Sequence, residues 1–298
     1  MLAWLCLALG VVACSNATLT SLAYNHAAFA YGNLGPMLTY MVDEYVDIDG
    51  AREDWVRARI DKVVAWHRAE ELPRFRAFFE SMLAKSEAPF KVEDIAAHQQ
   101  EVRASYHRLL GQVIPDTAEF LASLDPEEVA QIERKFAEDN RKFVKDSVRG
   151  TPEERLERRV SRFISHLESW VGSLDTPQRA LVIERYRGLA DYSEQLLGER
   201  RYRQTEMLAL VRSKPARAQM EAGLRRIFVD TESWRSPEYA QKLRERDLKM
   251  HTMVADLSAT LTEQQRKALK KRIRGFLRDI STLTAGSTSE RSRATAAS

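Results

Sequence analysis

A chain of 298 residues carries enough apolar material for one large core or two modest ones. Its 44% hydrophobic and 30% charged residues are the make-up of a globular protein, and 12 Gly with 9 Pro exclude collagen-like, linker-dominated and turn-rich all-β chains. The 46 Lys and Arg nearly balance the 43 Asp and Glu, so a formal charge of +3 lacks the basic excess of a nucleic-acid binder; two cysteines exclude a disulfide scaffold.

In chain order the first feature is MLAWLCLALGVV, an apolar start with no charged side chain. It is too short for a membrane-spanning helix, which takes about twenty residues, and it fits the apolar region of an export signal. It closes in Val11-Val12-Ala13-Cys14, which resembles the lipobox of bacterial lipoproteins, although no Lys or Arg precedes Arg52 as most such signals would have. The resemblance implies that residues 1–13 are a lipoprotein signal peptide and that Cys14 becomes the first residue, carrying diacylglycerol and an acyl chain such as palmitate. Cys6 then leaves with the signal, so the mature chain has no thiol for disulfides, nucleophilic catalysis or metal binding. Each buried CH₂ gives about 0.8 kcal/mol, so several acyl chains hold a protein on lipid almost permanently. Ser15 stands where Asp would retain an enteric lipoprotein at the inner membrane, which implies the periplasmic face of the outer membrane. Residues 14–21 read as the lipidated cysteine and a short tether, whose spacer reaches about 23 Å when extended.

Beyond the tether the chain reads as all-α, a multi-helix bundle of long amphipathic helices, with residues 22–283 as a single domain. Val102, Tyr106, Leu109, Leu110 and Val113 share one helical face. So do Val129, Ile132, Phe136, Phe143, Val144 and Val148, then Leu156, Val160, Phe163, Ile164, Leu167 and Val171, and near the end Leu269, Ile273, Phe276, Leu277 and Ile280. Asp125-Pro126-Glu127-Glu128 places an N-cap, a proline at N1 and a glutamate at N3, and Thr151-Pro152-Glu153-Glu154 repeats the device. Asp175-Thr176-Pro177, Ser236-Pro237 and Thr262-Glu263-Gln264-Gln265 mark further helix starts. From Pro177 to Val211 only Gly188 and Gly198 interrupt a helical pattern, which suggests one helix of roughly 50 Å. Pro89 and Pro115 suggest short turns. Residues 284–298 (TAGSTSERSRATAAS) are small and polar and read as a disordered tail.

Several segments carry a resemblance. They are Leu22-Ala23-Tyr24-Asn25, the stretch from Tyr40 to Asp47, the run Ala65-Trp66-His67-Arg68-Ala69-Glu70-Glu71-Leu72-Pro73-Arg74, and Trp170 to Arg179. In this order, behind a lipobox, they resemble a family of uncharacterised Gram-negative bacterial lipoproteins, a domain of unknown function, with WHRxEELPR as its most specific part. That resemblance implies a location and a helical fold, and no activity. Leu261-Thr262-Glu263-Gln264-Gln265, echoed at Leu124–Glu128 and Leu174–Gln178, is similar to the LTxxQ element of Spy-type periplasmic chaperones. A helix cap preceded by an apolar residue produces the same pattern.

Motifs for chemistry are sparse. No HExxH, phosphate-binding glycine loop or GxSxG is present, so the sequence points to no metal, nucleotide or other cofactor. Glu168-Ser169 lacks the glycine-rich sequel that peptidoglycan-cleaving transglycosylases carry. Trp66, His67, Glu70 and Glu71 are the nearest approach to a surface or ligand site, with His67 and Glu71 one helical turn apart. Tyr24, Phe29, Tyr31, Tyr40, Tyr45, Trp55 and Trp66 form a dense aromatic set that suits core packing more than a groove. Arg200, Arg201 and Arg203, with Lys267, Lys270 and Lys271, lie in basic runs that read either as solvated faces paired with carboxylates or as contacts to anionic lipid.

These features suggest an outer-membrane-anchored periplasmic lipoprotein that binds or scaffolds rather than catalyses. Its expected partners are membrane lipid through acylated Cys14 and an envelope protein, with no nucleic acid or nucleotide. An ATP-independent chaperone of the Spy type and an enzyme acting on an envelope polymer stay open as alternatives.

Overall fold

The computed structural model describes residue 31 and residues 33–296, with side chains through residue 285. Among these residues the fold is all-α, without strands. The helices are α1 (Leu34–Asp43), α2 (Gly50–Trp66), α3 (Leu72–Lys85), α4 (Val92–Ala122), α5 (Pro126–Phe143), α6 (Pro152–Val171), α7 (Thr176–Arg187), α8 (Ser193–Arg212), α9 (Arg217–Phe228), α10 (Pro237–Ala259) and α11 (Glu263–Ala296). Two π-helical turns, His67–Glu71 and Val144–Val148, follow α2 and α5, and a 3₁₀ turn, Thr231–Ser233, follows α9.

The helix starts follow their local chemistry. Asp125, Thr151 and Asp175 each have extended backbone angles, accept a hydrogen bond from the N3 backbone, and receive the N3 side chain in return. Each is followed by a proline in the first turn, where no N–H is needed. Leu124 and Leu174, the residues before two of these caps, are buried and pin the turns to the core. At its C-terminus α6 stops at Gly172, whose φ of 82° any side chain would strain.

Two local expectations are corrected. Pro115 lies inside α4 rather than in a turn. The carbonyl it deprives of a partner belongs to Gly111, and Val113, Ile114, Ala118 and Leu121 bury this part of the helix, so packing outweighs the lost bond. The stretch from Pro177 to Val211 is two helices: α7 ends at Gly188 and α8 begins at Ser193. Between them Leu189 turns into the core, and Asp191 pairs with Arg155 (2.7 Å) and Arg159 of α6. α11 runs to Ala296.

The chain divides into two compact units. The first comprises the chain through Ala65 together with Tyr106–Arg149 and Tyr192–Pro237; the second comprises Trp66–Ser105, Gly150–Asp191 and Glu238 onward. Each is assembled from three separate stretches, so no Gly- or Pro-rich linker marks a boundary. In the first unit Leu38, Val56, Ile60, Ile114, Leu121, Ile132, Met207, Met220 and Phe228 form the core, with α8 packed on α5 and α9. Each such side chain taken fully from water stabilises by about 1.5–3 kcal/mol before the entropy of ordering is counted. In the second unit α11 packs on α3 and α6, around Val160, Ile164, Val182, Met253, Leu257, Leu269 and Ile273. Phe79 stacks on Phe276 at 5.1 Å between ring centres, and Trp170 lies 5.4 Å from Phe276.

Candidate functional site

The WHRxEELPR run builds the most unusual backbone of the second unit. Pro73 has no N–H to give the carbonyl of Ala69, and ahead of it the ladder widens, so Leu72 N–H reaches back five residues to the carbonyl of His67. The π-turn carries Glu71 inward until its side chain is fully buried. There Ser105 of α4 donates its hydroxyl to Glu71 Oε2 at 2.7 Å, and Arg74 Nε lies 3.6 Å from Oε1. His67 sits one turn earlier. Burial holds its pKa below the ordinary 6.5, and the Glu71 charge pushes part of the way back. Trp66 and Phe75 flank the imidazole with ring centres at 6.4 and 6.0 Å.

Of the four residues expected here, His67 and Glu71 come together beside Trp66, while Glu70 faces solvent. Ser105 and Arg74 complete the cluster. Arg74 was legible as an i, i+3 partner of Glu71; Ser105, 34 residues away, had no sequence signal. Ser105 gives its hydroxyl proton to the Glu71 carboxyl and so ties the π-turn to α4.

The second unit holds another closed polar cluster. Gln178 and Gln265 are the N3 residues of the boxes that open α7 and α11, and both are buried. Gln178 Oε1 accepts from Asp175 N–H at 3.1 Å, and Gln265 Oε1 accepts from Thr262 N–H at 2.9 Å. The two amides also bond each other, at 2.9 Å from Gln178 Nε2 and 2.8 Å from Gln265 Nε2. Their remaining hydrogens go to the carbonyls of Thr260 (3.0 Å) and Ser173 (2.8 Å). Two LTxxQ-like turns are thus clasped face to face. The capping pattern predicted each turn; nothing in it predicted their meeting.

The basic residues separate. Arg200 is buried in the first unit, where Nε donates to Asn140 Oδ1 at 2.7 Å and Nη2 lies 3.7 Å from Asp139; Asn140 in turn donates to Gln204 at 2.7 Å. Arg203 is largely covered, 3.9 Å from Glu199, with its guanidinium 5.9 Å from the Trp234 ring, and burial lowers its pKa. Arg200 and Arg203, which sit in a run that reads as a solvated face or a lipid contact, are thus covered within the first unit. Arg201 is exposed. Lys267 pairs with Glu263 at 2.6 Å and Lys270 with Glu87 at 2.5 Å, and Lys271 is exposed. The Lys270 bond, with Arg274 and Arg266 adding field, holds the Glu87 carboxyl below its usual pKa.

Of the aromatic set, Tyr45 is buried against Phe136, Trp55 stacks on Phe120 at 6.2 Å, and Tyr31 donates to the Val64 carbonyl at 3.2 Å. Tyr40 is 64% exposed. Tyr24, Phe29 and Cys14 lie outside the described residues. Among the described residues no group of three or more His, Cys, Asp and Glu could hold a metal ion, and no helix is long and apolar enough to cross a membrane.

A family model for a family of unknown function, DUF6279, matches residues 44–240. The chain belongs to this family. No curated protein and no solved structure matches it. The DUF6279 span takes in the π-turn, the Glu71 cluster and the Gln178 turn. Cys14, Gln265 and the basic part of α11 lie beyond it.

Proposed function

We propose that this DUF6279 protein is an exported lipoprotein, acylated at Cys14 and held on the periplasmic face of the outer membrane, which acts by binding an envelope partner rather than by catalysis. The observation that carries this reading is Val11-Val12-Ala13-Cys14 at the close of an uncharged apolar run. The non-catalytic part is supported by where the polar side chains go: the Glu71 oxygens are engaged by Ser105 and Arg74, and the Gln178 and Gln265 amides by each other and by backbone. Labelled palmitate supplied to cells should enter the wild-type protein and not Cys14→Ser, and the variant should shift to the soluble periplasmic fraction or stay unprocessed. Equal labelling of the two would overturn the anchor. Crosslinking in cells should trap the wild-type protein with a defined envelope protein.

A chaperone of the Spy type is the second reading, supported by the two LTxxQ-like turns being a bonded pair rather than two unrelated caps. It requires suppression of aggregation of a denatured client at stoichiometric amounts without ATP. Absence of suppression ends it. An envelope-polymer enzyme centred on His67, Glu70 and Glu71 would lose its deletion-complementing activity on their replacement.

A further inference from the structure

The exposed face of α11 carries a row of cations. Lys267, Lys271, Arg274 and Arg278 follow one another at steps of four, three and four residues and are all exposed. At about 100° per residue they fall within an arc of about 60°, and the row is about 16 Å long. The opposite side of α11 is the one packed on α3 and α6, where Leu269, Ile273 and Ile280 are buried. Several exposed cations elsewhere meet acids, among them Arg57 with Glu53, Arg76 with Glu80, Arg212 with Glu133 and Lys242 with Glu238. Within this row Lys267, at its end, pairs with Glu263, and among the described residues Lys271, Arg274 and Arg278 have no carboxylate within 4 Å. From Arg266 to Arg278 the helix has no acid at all. Beside the row, Arg274 and Arg278 border a shallow depression of about 560 Å³ that Leu277, Ser281 and Thr282 complete. Both hydroxyls donate to backbone carbonyls of the helix, Ser281 to Leu277 at 2.8 Å and Thr282 to Arg278 at 3.1 Å, so the two guanidinium groups and the aliphatic wall are what a phosphodiester head with its adjoining acyl carbons would meet.

We propose that this face of α11 docks on an anionic phospholipid surface, with Lys271, Arg274 and Arg278 as the phosphate contacts. The docking deepens the lipoprotein reading, on which it rests for closeness to a bilayer, and it replaces Arg200, Arg203 and the paired Lys270 as the lipid-facing cations. Charge complementarity selects the occupant: a row of exposed cations on a stretch of helix without acids suits phosphate oxygens at an interface.

The test uses the full chain with Cys14→Ser, so that acyl groups cannot mask the contact, and sedimentation with vesicles of phosphatidylcholine alone or mixed with phosphatidylglycerol. Binding should require phosphatidylglycerol and weaken with salt. Lys271→Gln, Arg274→Gln and Arg278→Gln together should lower the partition coefficient by on the order of a hundredfold, about fivefold for each cation at the surface. A control with Arg57→Gln, Arg76→Gln and Lys242→Gln removes the same net charge and should bind as the parent does, with helix content of both triples checked by circular dichroism. Binding indifferent to phosphatidylglycerol, equal loss in the two triples, or binding of inorganic polyphosphate as tight as that of vesicles would overturn the proposal. Palmitate labelling of the wild-type protein separates the two ideas: label without phosphatidylglycerol dependence sinks the docking face alone, and dependence without label sinks the anchor alone.

Discussion

The amides of Gln178 and Gln265 each have two donors and two acceptor positions, and all are used. Replacing either by Ala therefore removes a cap and strands a buried partner. Gln178→Ala or Gln265→Ala should each cost about 2–3 kcal/mol in denaturant unfolding, a cap plus an unsatisfied buried group. The double variant should cost clearly less than the sum, because neither amide is then left facing an empty position. Additive losses would show that the two bonds between the amides contribute nothing. His67 and His98 supply a pH dependence, since burial holds both below the ordinary pKa of 6.5. The unfolded chain then binds more protons than the folded one between the folded and unfolded pKa values, so stability rises with pH in that window. The melting temperature should fall as pH drops from about 7.5 to about 5, and His67→Gln with His98→Gln should flatten the fall. In Glu71→Gln the His67 ring should titrate lower still by NMR, because the one influence raising its pKa is gone. The i, i+4 pair was legible in WHRxEELPR. The depth of its burial was not, since Ser105 reaches Glu71 from a helix 34 positions away.

At the scale of elements, starts were legible and interruptions were not. A cap is a local device: Asp125, Thr151 and Asp175 announce themselves through the proline and the N3 carboxylate or amide that follow. The break between α7 and α8 depends on Leu189 entering the core and on Asp191 meeting Arg155 and Arg159, which no window around Gly188 contains. The same contrast separates two helix-interior glycines. A Cβ at Gly198 would touch nothing within 4 Å, whereas one at Gly223 would come to 2.6 Å from Leu210 Cδ2 and 2.9 Å from its Cδ1. Gly198→Ala should raise stability by about 0.5–1 kcal/mol, the ordinary gain of a helix interior. Gly223→Ala should lose that gain and lower stability, because Leu210, packed against the first unit's core, must move. Thermal unfolding of the two variants side by side checks this, and equal gains would mean that α8 and α9 approach less closely than described.

On the scale of the whole molecule, each unit takes its residues from three stretches, so no single cut separates them. A fragment ending at Asp191 deprives the first unit of Met207, Leu208, Val211, Met220, Leu224, Ile227 and Phe228. It also deprives the second of Met253, Leu257, Leu269 and Ile273. With both cores opened, such a fragment should lack the near-ultraviolet dichroism of the full chain and be digested rapidly by proteases at concentrations the full chain resists. A fragment with native-like aromatic signals would show that one unit stands without its last stretch. The arrangement also explains why composition along the chain shows no boundary: each passage between units falls within or beside a helix, where polar and apolar residues keep their helical spacing.

The sequence by itself determined that the chain is helical, where most helices begin, and which faces are apolar, because caps and 3.6-residue periodicity depend on neighbours within a turn or two. It also determined the family, through the run of residues that includes WHRxEELPR. Only the tertiary structure decided which charges are spent inside and which remain outside. Arg200 and Lys271 sit in basic runs that look alike, and what separates them is whether Asn140 and Asp139, sixty residues away, stand opposite. Burial of a charge is a property of what packs against it, and the chain writes that down only by folding.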